Sequence, residues 1–248
     1  MSIGGSAFNN GVKFISDNYT AHFAMDKNNE YKITYNKRKT IGKARAFIKK
    51  IPLLKGIYAM WEGNPLVLFI TLFALFEDFS STDLENNIYV MIAMAAITVG
   101  LFAYVVKKIL RNIKITWMYH GAEHKTIYAY EHKMELTLEN VRKCPRIAKR
   151  CGTNWVVFVV MFYIIISAIS SFFTYHAGLV LLASFVLGYE IFDLDKGETY
   201  PVIRLFFKFG YFCQQKFFTK EPSDLQIIAA IDTIKKIMDL EKGGLKVC

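Results

Sequence analysis

Two long stretches of this sequence lack charged residues, although charged residues make up 21% of the whole chain. Residues 88–106 and residues 155–175 are each apolar and carry no charge. About 20 apolar residues in a helix suffice to cross the hydrocarbon core of a bilayer. The absence of charge therefore argues against an ordinary soluble domain and predicts a transmembrane helix in each stretch.

Two further apolar stretches contain a single acidic residue each. Residues 56–76 are interrupted by Glu62, and residues 178–192 are interrupted by Glu190 near their end. We interpret them as a first and a fourth span. The predicted fold class is therefore mainly α: a polytopic helical membrane protein with about four transmembrane helices, a small N-terminal β element and interfacial or cytoplasmic helices.

Cysteine is scarce and follows no standard zinc-binding pattern. Six residues separate Cys144 from Cys151, a spacing that fits no common zinc knuckle. Basic neighbours lower a thiol pKa, so either residue is a candidate nucleophile or soft metal ligand; the alternative is a basic membrane anchor that contains two thiols. The first 35 residues also lack the apolar segment of a signal sequence, so we expect no cleavable signal.

Acidic residues are missing from one segment and basic residues from another. Residues 37–55 carry eight bases and no acid, residues 77–85 carry four acids and no base, and residues 107–150 carry eleven bases and four acids. Because basic loops stay in the cytoplasm, we expect a multi-pass protein of the bacterial cytoplasmic (inner) membrane. Both termini and the 107–154 loop would be cytoplasmic, where cysteines are reduced thiols.

The net charge of +10 then has an explanation in the membrane. Basic residues beside membrane spans attract anionic lipid headgroups, so the expected partner is a lipid bilayer with anionic headgroups. No nucleic-acid recognition motif accompanies the charge, and we expect no nucleic-acid binding.

Local patterns divide the chain into a β element and a helical membrane domain. Residues 1–36 form the predicted β element, with strands at 11–15, 19–25 and 30–35, and residues 37–248 form the helical domain. Within it we expect helices at 37–55, at 109–130, after the N-cap Thr137, at 202–218 and, amphipathic, at 222–242.

The densest group of chemically active residues is the segment His120-Gly-Ala-Glu123-His124. On a helix the two histidines lie at i and i+4 on one face, which is the H-x-x-E-H order of an inverted zincin motif. Two imidazoles one turn apart can hold a divalent metal such as zinc, with Glu123 as general base. A third ligand is needed. Glu131 and Glu190 are the candidates, and Glu190 is favoured because an ionisable residue in an apolar span is usually functional.

A simpler explanation of the same segment is that the two histidines and the glutamate hydrogen-bond loop backbone at the membrane surface. A second polar group follows at Arg150-Cys151-Gly-Thr153-Asn154. Free N–H groups at a helix N-terminus favour an anion such as a lipid phosphate, whereas ordinary capping by Thr153 or Asn154 is the commoner reason for such residues.

These segments together resemble the YqhQ-like bacterial membrane protein family, a family of unknown function described as a metal-dependent enzyme. The resemblance covers nearly the whole chain. It rests on residues 119–127 (YHGAEHKTI), 129–131, 136–143, 150–153, 4–5, 50–56 and 219–224. It implies a metal-dependent activity centred on the histidine cluster.

Two departures from the family pattern concern residues that could be ligands or acid–base groups. Asn10 stands where the family has glutamate, and Ala148 stands where it has histidine; Ser6 and residues 13–15 also differ. If the N-terminal β element and the 119–153 segment form one site in the family, these changes weaken its chemistry in this chain.

We therefore expect an integral membrane protein with a cytoplasmic-face metal site, a metal-dependent hydrolase acting at the membrane interface. The alternative is a non-catalytic membrane scaffold, a degenerate family member that binds a protein partner or lipid. The spans lack the pair of Gly- or Pro-broken helices typical of transporters, which disfavours an ion transporter.

Overall fold

The computed structural model describes residues 3–25, 31–38, 47–63, 71, 92, 113–172, 177–194 and 196–244. The chain divides into two compact units. The first unit contains the described residues of segments 1–40, 111–150 and 210–248, and the second contains those of 41–110 and 151–209.

The first unit begins with an antiparallel four-stranded sheet in the order β1-β2-β3-β4. The strands are β1 (Gly4–Phe8), β2 (Gly11–Ile15), β3 (Tyr19–Met25) and β4 (Tyr31–Lys37). The strands predicted at 11–15 and 19–25 are confirmed, and the third lies close to its predicted place. The strand β1 was not predicted, because its sequence GGSAF has weak β propensity.

One face of this sheet is apolar because strand side chains alternate between faces. Val12 and Phe14 on β2 pair with Phe23 and Ala21 on β3, and all four are buried. Two helices pack on the sheet, α2 (Ile113–Glu131) on β1 and β2 and a C-terminal helix, Asp224–Gly244, on β2 and β3. The resulting core buries the middle of α2.

The rest of the first unit connects these helices. The helix α3 (Leu138–Lys143) begins after Thr137, whose hydroxyl accepts a hydrogen bond from the Asn140 N–H, as predicted for the N-cap. A π-helical turn, Gln214–Phe218, leads through Thr219 to the C-terminal helix. We call residues 214–223 the strap.

The second unit is helical. It contains α1 (Leu54–Gly63), α4 (Gly152–Ser170), α5 (Ala177–Phe192), a 3-10 turn (Gly197–Thr199) and the first nine residues of α6 (Pro201–Cys213). The Asp224–Gly244 helix of the first unit is α7 in chain order.

Helices α4 and α5 of the second unit run antiparallel. Trp155, at the start of α4, has its ring 5.5 Å from the ring of Tyr189 near the end of α5. Gly188 lets the backbone of Val159 approach, since a Cβ there would lie 3.0 Å from the Val159 nitrogen. The small residue therefore sets the close packing of the pair.

The prediction of a polytopic membrane protein with about four transmembrane helices is wrong. The fold is mainly helical with a four-stranded antiparallel sheet, and among the described residues α4 alone is long and apolar enough to cross a membrane. The predicted fourth span is α5, which has 16 residues; at 1.5 Å per residue it measures about 24 Å, short of the bilayer core. Residues 64–76 and 88–106 of the first two predicted spans lie outside the described residues, apart from positions 71 and 92.

Candidate metal centre

The predicted helix through the histidine cluster is confirmed as α2, and its central residues are deeply buried. Glu123 and His124 are 4% and 1% exposed, while His120 is half-buried. The rings of His120 and His124 meet edge to face with centroids 4.3 Å apart. One ring nitrogen of each histidine lies within 4.8 Å of one on the other, so the helical spacing places two imidazoles side by side.

Backbone carbonyls fix the tautomer of both histidines. His120 Nδ1 lies 2.8 Å from the Phe218 carbonyl oxygen, and His124 Nδ1 lies 3.0 Å from that of Arg146. A carbonyl oxygen only accepts, so each Nδ1 carries the proton and donates it. In the neutral ring the lone pair is then on Nε2, the arrangement that second-shell hydrogen bonds impose on metal-binding histidines.

Two buried polar atoms of the cluster have no hydrogen-bond partner: His124 Nε2 and Glu123 Oε2. Such atoms are costly to bury and are rare in folded proteins. An unpartnered imidazole lone pair inside a protein matches what a metal ion requires of a ligand. The donor set therefore fits a divalent metal, although two histidines leave its coordination incomplete.

Glu123 faces the glycine-rich strand β1. A Cβ atom on Gly5 would lie within 2.7 Å of the Glu123 carboxyl carbon, so only glycine leaves room for this side chain. Burial raises the pKa of Glu123 to about 7, against the opposing effect of charge on His120. The carboxyl group is thus desolvated and held against a backbone strand.

The strap closes the site from the other side of α2. The Lys220 N–H donates to the Trp117 carbonyl oxygen at 2.9 Å, and a Cβ on Gly121 would collide with the Lys220 carbonyl oxygen. Since the strap also supplies the Phe218 carbonyl that holds His120, Gly121 permits the contact that orients a histidine.

Charged side chains tie the strap to α2 and to the 144–150 loop. Lys125 is buried; its ammonium donates to the Arg142 carbonyl oxygen at 2.6 Å and pairs with Glu221 at 2.8 Å. The Arg146 guanidinium contacts Glu221 at 3.3 Å and the Thr219 carbonyl at 3.2 Å. The loop that supplies the Arg146 carbonyl to His124 is therefore held by the same carboxylate as α2.

The two acids predicted as a third ligand lie in different surroundings. Glu131 is exposed at the end of α2. In the second unit, Glu190 Oε1 accepts from the Leu53 N–H at 2.8 Å and its Oε2 pairs with Lys55 at 3.2 Å. The identity of a third ligand stays a prediction.

The predicted group at residues 150–154 begins helix α4. The N-cap of α4 is Cys151, without a side-chain cap bond, so capping by Thr153 or Asn154 is not the arrangement found. Cys151 is a buried free thiol 3.5 Å from the Thr153 hydroxyl, Asn154 is fully buried, and Arg150 is exposed. An anion site here stays a prediction.

Cys144 does not have the properties of an activated thiol. It is buried, and its Sγ lies 3.4 Å from the Asn140 carbonyl oxygen. Burial raises the pKa of Cys144, outweighing the opposite effect of Lys125. The lowered pKa that the neighbouring cations predict for this thiol is therefore not found.

The two positions that depart from the family pattern make backbone contacts. Asn10, in the turn before β2, donates its amide to the Met25 carbonyl oxygen at 3.3 Å. The backbone N–H and carbonyl of Ala148 bond the side-chain amide of buried Gln214 at 2.9 and 3.0 Å. The β element does contact the cluster, but through Gly5. Gly4-Gly5 and residues 219–224 were the sequence signals for these contacts, whereas nothing marked the carbonyls of Phe218 and Arg146.

The fold and the cluster define a class: a mainly helical protein with a histidine–glutamate pair buried between a helix, a small sheet and a strap. A family model described as "Protein of unknown function (DUF1385)" matches residues 10–240. The chain belongs to this family.

The chain is also 33% identical over 135 residues to "Uncharacterized protein YqhQ" of Bacillus subtilis (strain 168). The match covers 52% of this chain and 42% of that relative, so this chain spans less than half of the relative's length in the comparison. No solved structure matches this chain.

Proposed function

We propose that this protein is a metal-dependent hydrolase that binds a divalent metal, zinc being the first candidate, through His120 and His124. The observation that supports it is the pair of Nδ1–carbonyl hydrogen bonds together with the buried, unpartnered Nε2 of His124. A ligand preoriented in this way does not lose side-chain freedom when it binds a metal.

Each residue of the cluster has its own proposed role. His120 and His124 hold the metal, which supplies Lewis acidity for hydrolysis when bound. Glu123 is the general base: its Oε2 is buried and accepts no hydrogen bond from the protein, so it can take a proton from a reacting water. Glu131 and Glu190 stay the two candidates that the sequence gives for the third ligand, with Glu190 favoured.

Zinc uptake tests the ligands. Purified full-length protein is dialysed against zinc and its metal content is measured by mass spectrometry. We expect close to one zinc per chain, and a near-complete loss in His120→Ala/His124→Ala. His132→Ala is the matched control, because His132 is exposed beyond the end of α2 and its Nδ1 donates to the Tyr128 carbonyl oxygen, away from the cluster. Equal zinc in all three proteins would defeat the proposal.

Catalysis is tested separately with the zinc-loaded protein and a panel of chromogenic esters, phosphodiesters and peptides. Glu123→Gln should keep its zinc and lose activity by about 10²–10⁴-fold, the usual contribution of a general base. Glu135→Gln, an exposed change just after α2, should behave as wild type. If Glu123→Gln hydrolysed the substrates as fast as wild type, Glu123 would not be the general base.

The alternative is a non-catalytic membrane scaffold that docks a protein partner or lipid through the basic residues 142–150. It predicts that Glu123→Gln leaves cellular function intact while charge reversal at Arg142, Lys143, Arg146 and Lys149 abolishes it. Ion pairs of Arg142 with Asp224 and of Lys143 with Glu139 already neutralise part of this charge, which weakens the electrostatic basis of this alternative.

The cellular location is proposed on α4 alone. This helix is uncharged and has few buried residues, which supports attachment of the protein to the bacterial inner membrane through α4. After fractionation of cells, we expect the chain in the membrane fraction and expect it to stay there after a carbonate wash. Recovery in the soluble fraction would exclude this location.

A further inference from the structure

Helix α6 exposes an apolar stripe beside a basic one. Val202, Leu205 and Phe209 follow one another at spacings of three and four residues and are 67%, 63% and 52% exposed. Arg204 and Lys208, one turn apart, are exposed next to them. No acidic residue occurs between positions 201 and 218, so α6 itself carries charge of one sign.

The opposite face of α6 is anchored in the second unit. Phe207 is fully buried and its ring lies 5.0 Å from that of Phe158 on α4. Gly197 makes room for it, since a Cβ there would lie 3.3 Å from the Phe207 ring. Packing therefore fixes which side of α6 is turned outward.

The anchor also fixes where α6 lies along α4. Phe158 is in the second turn of α4, the helix that is apolar enough to cross a membrane. At the same end of α4 the ring of Trp155 meets those of Phe185 and Tyr189. These rings pack inside the second unit, where the Trp155 indole N–H is buried, and they show that α6 lies near one end of an apolar helix.

From this placement we propose that the outward face of α6 docks on an anionic lipid bilayer. Val202, Leu205 and Phe209 enter the boundary of the acyl chains, and Arg204 and Lys208 contact lipid phosphates. An amphipathic helix with an apolar stripe flanked by cations binds membranes in this way, and cations add attraction to anionic lipids. The proposal does not rest on the metal function, because it uses none of the residues of α2.

The full-length protein tests the proposal with an environment-sensitive dansyl amino acid in place of Leu205. On reconstitution into phosphatidylcholine vesicles that contain phosphatidylglycerol, we expect a blue shift and quenching by spin-labelled lipid. The same probe in place of Ile228, which is exposed on α7, should show neither. The double variant Arg204→Gln/Lys208→Gln should lower the ratio of docked to undocked probe by roughly 30-fold, about fivefold for each cation.

The matched control for charge is Lys235→Gln/Lys242→Gln, which removes two exposed cations from α7 and should leave the shift unchanged. The proposal is overturned if the emission of the Leu205 probe does not change with vesicles, or if it shifts equally with phosphatidylcholine alone. It is also overturned if the emission shifts with protein concentration in the absence of lipid, which would indicate that the face binds a second copy of the chain. Zinc uptake of the Arg204→Gln/Lys208→Gln variant should equal that of wild type, so the two proposals fail separately.

Discussion

Gly5 on β1 lies directly against the carboxyl group of Glu123 on α2. A Cβ atom at position 5 would come within 2.7 Å of the Glu123 carboxyl carbon. The bare strand backbone thus forms one wall of the pocket around a carboxyl group that is almost fully buried. The absence of a side chain at position 5 allows Glu123 to remain inside, where burial raises its pKa.

The first prediction concerns this contact. Gly5→Ala should lower the free energy of unfolding by about 1–3 kcal/mol, the usual cost of overpacking. Gly4→Ala is the matched control, since a Cβ at position 4 has nothing within 4 Å, and should change stability by less than about 0.5 kcal/mol. Urea denaturation followed by circular dichroism measures both. In a Glu123→Ala background Gly5→Ala should cost little, because the clashing group is gone; an undiminished cost would place the strain elsewhere.

The second prediction concerns the strap. Alanine has a higher helix propensity than glycine by about 1 kcal/mol, yet Gly121→Ala should destabilise the protein because its Cβ would collide with the Lys220 carbonyl oxygen. Gly243→Ala, with nothing within 4 Å of its Cβ, should be neutral or stabilising. Thermal unfolding compares the two variants. The proposed zinc affinity should fall in Gly121→Ala alone, since the displaced strap carries the carbonyl that orients His120.

The third prediction concerns the pH dependence of stability. The folded-state pKa of Glu123 is raised to about 7 by burial, above the value of an exposed glutamate. The protonated form is favoured by folding, so its contribution is complete below the unfolded pKa and is lost as the pH rises through 7. With chelator present, wild type should lose up to about 1.4 kcal/mol per pH unit relative to Glu123→Gln within this window. The prediction would be contradicted if the free energies of unfolding of wild type and Glu123→Gln changed in parallel from pH 5 to pH 8.

The fourth prediction has the opposite sign. Glu241 on α7 accepts hydrogen bonds from the Ser16 hydroxyl at 2.6 Å and from the Asn18 N–H at 2.9 Å. The Ser16 hydrogen bond is the main cause that lowers the pKa of Glu241. The contribution of the charged form is present above the unfolded pKa and is lost as the pH falls through the lowered folded value.

Glu241→Gln should therefore lower the free energy of unfolding at pH 7 by less than about 1 kcal/mol, because solvent screens this partly exposed carboxylate, and the difference from wild type should shrink in acid. Asp239→Asn, an exposed change on the same helix, is the control and should have little effect. Urea denaturation at pH 7 and in acid measures the difference. If Glu241→Gln lowered the free energy of unfolding equally at pH 7 and in acid, the charge of Glu241 would not be involved.

Some of the fold could be read from local pattern. The alternation of apolar residues predicts the strands at 11–15 and 19–25, because every second side chain must face the core. The spacing of polar residues also predicts that α3 begins after Thr137. These features depend on near neighbours in the chain, which the sequence displays directly.

Other features depend on partners far along the chain. The Gly-rich β1 is a strand because β2 pairs with it, not because of its own propensity. In the sequence, Glu190 is interpreted as a functional acid because it lies in an apolar segment. In the structure both of its carboxylate oxygens have partners more than 130 residues earlier: one accepts from the Leu53 N–H and the other pairs with Lys55. The four-span prediction was wrong because apolar composition does not fix the length of a helix: the predicted fourth span, α5, has only 16 residues.

The sequence by itself determined that His120, Glu123 and His124 share one side of a helix, since their spacing places them there on any α-helix. Only the tertiary structure decided what each can do. The Nδ1 atoms meet carbonyls 98 and 22 residues away, and Glu123 meets a strand near the start of the chain. Tautomer, burial and pKa follow from these distant contacts, which the periodicity of a single helix does not encode.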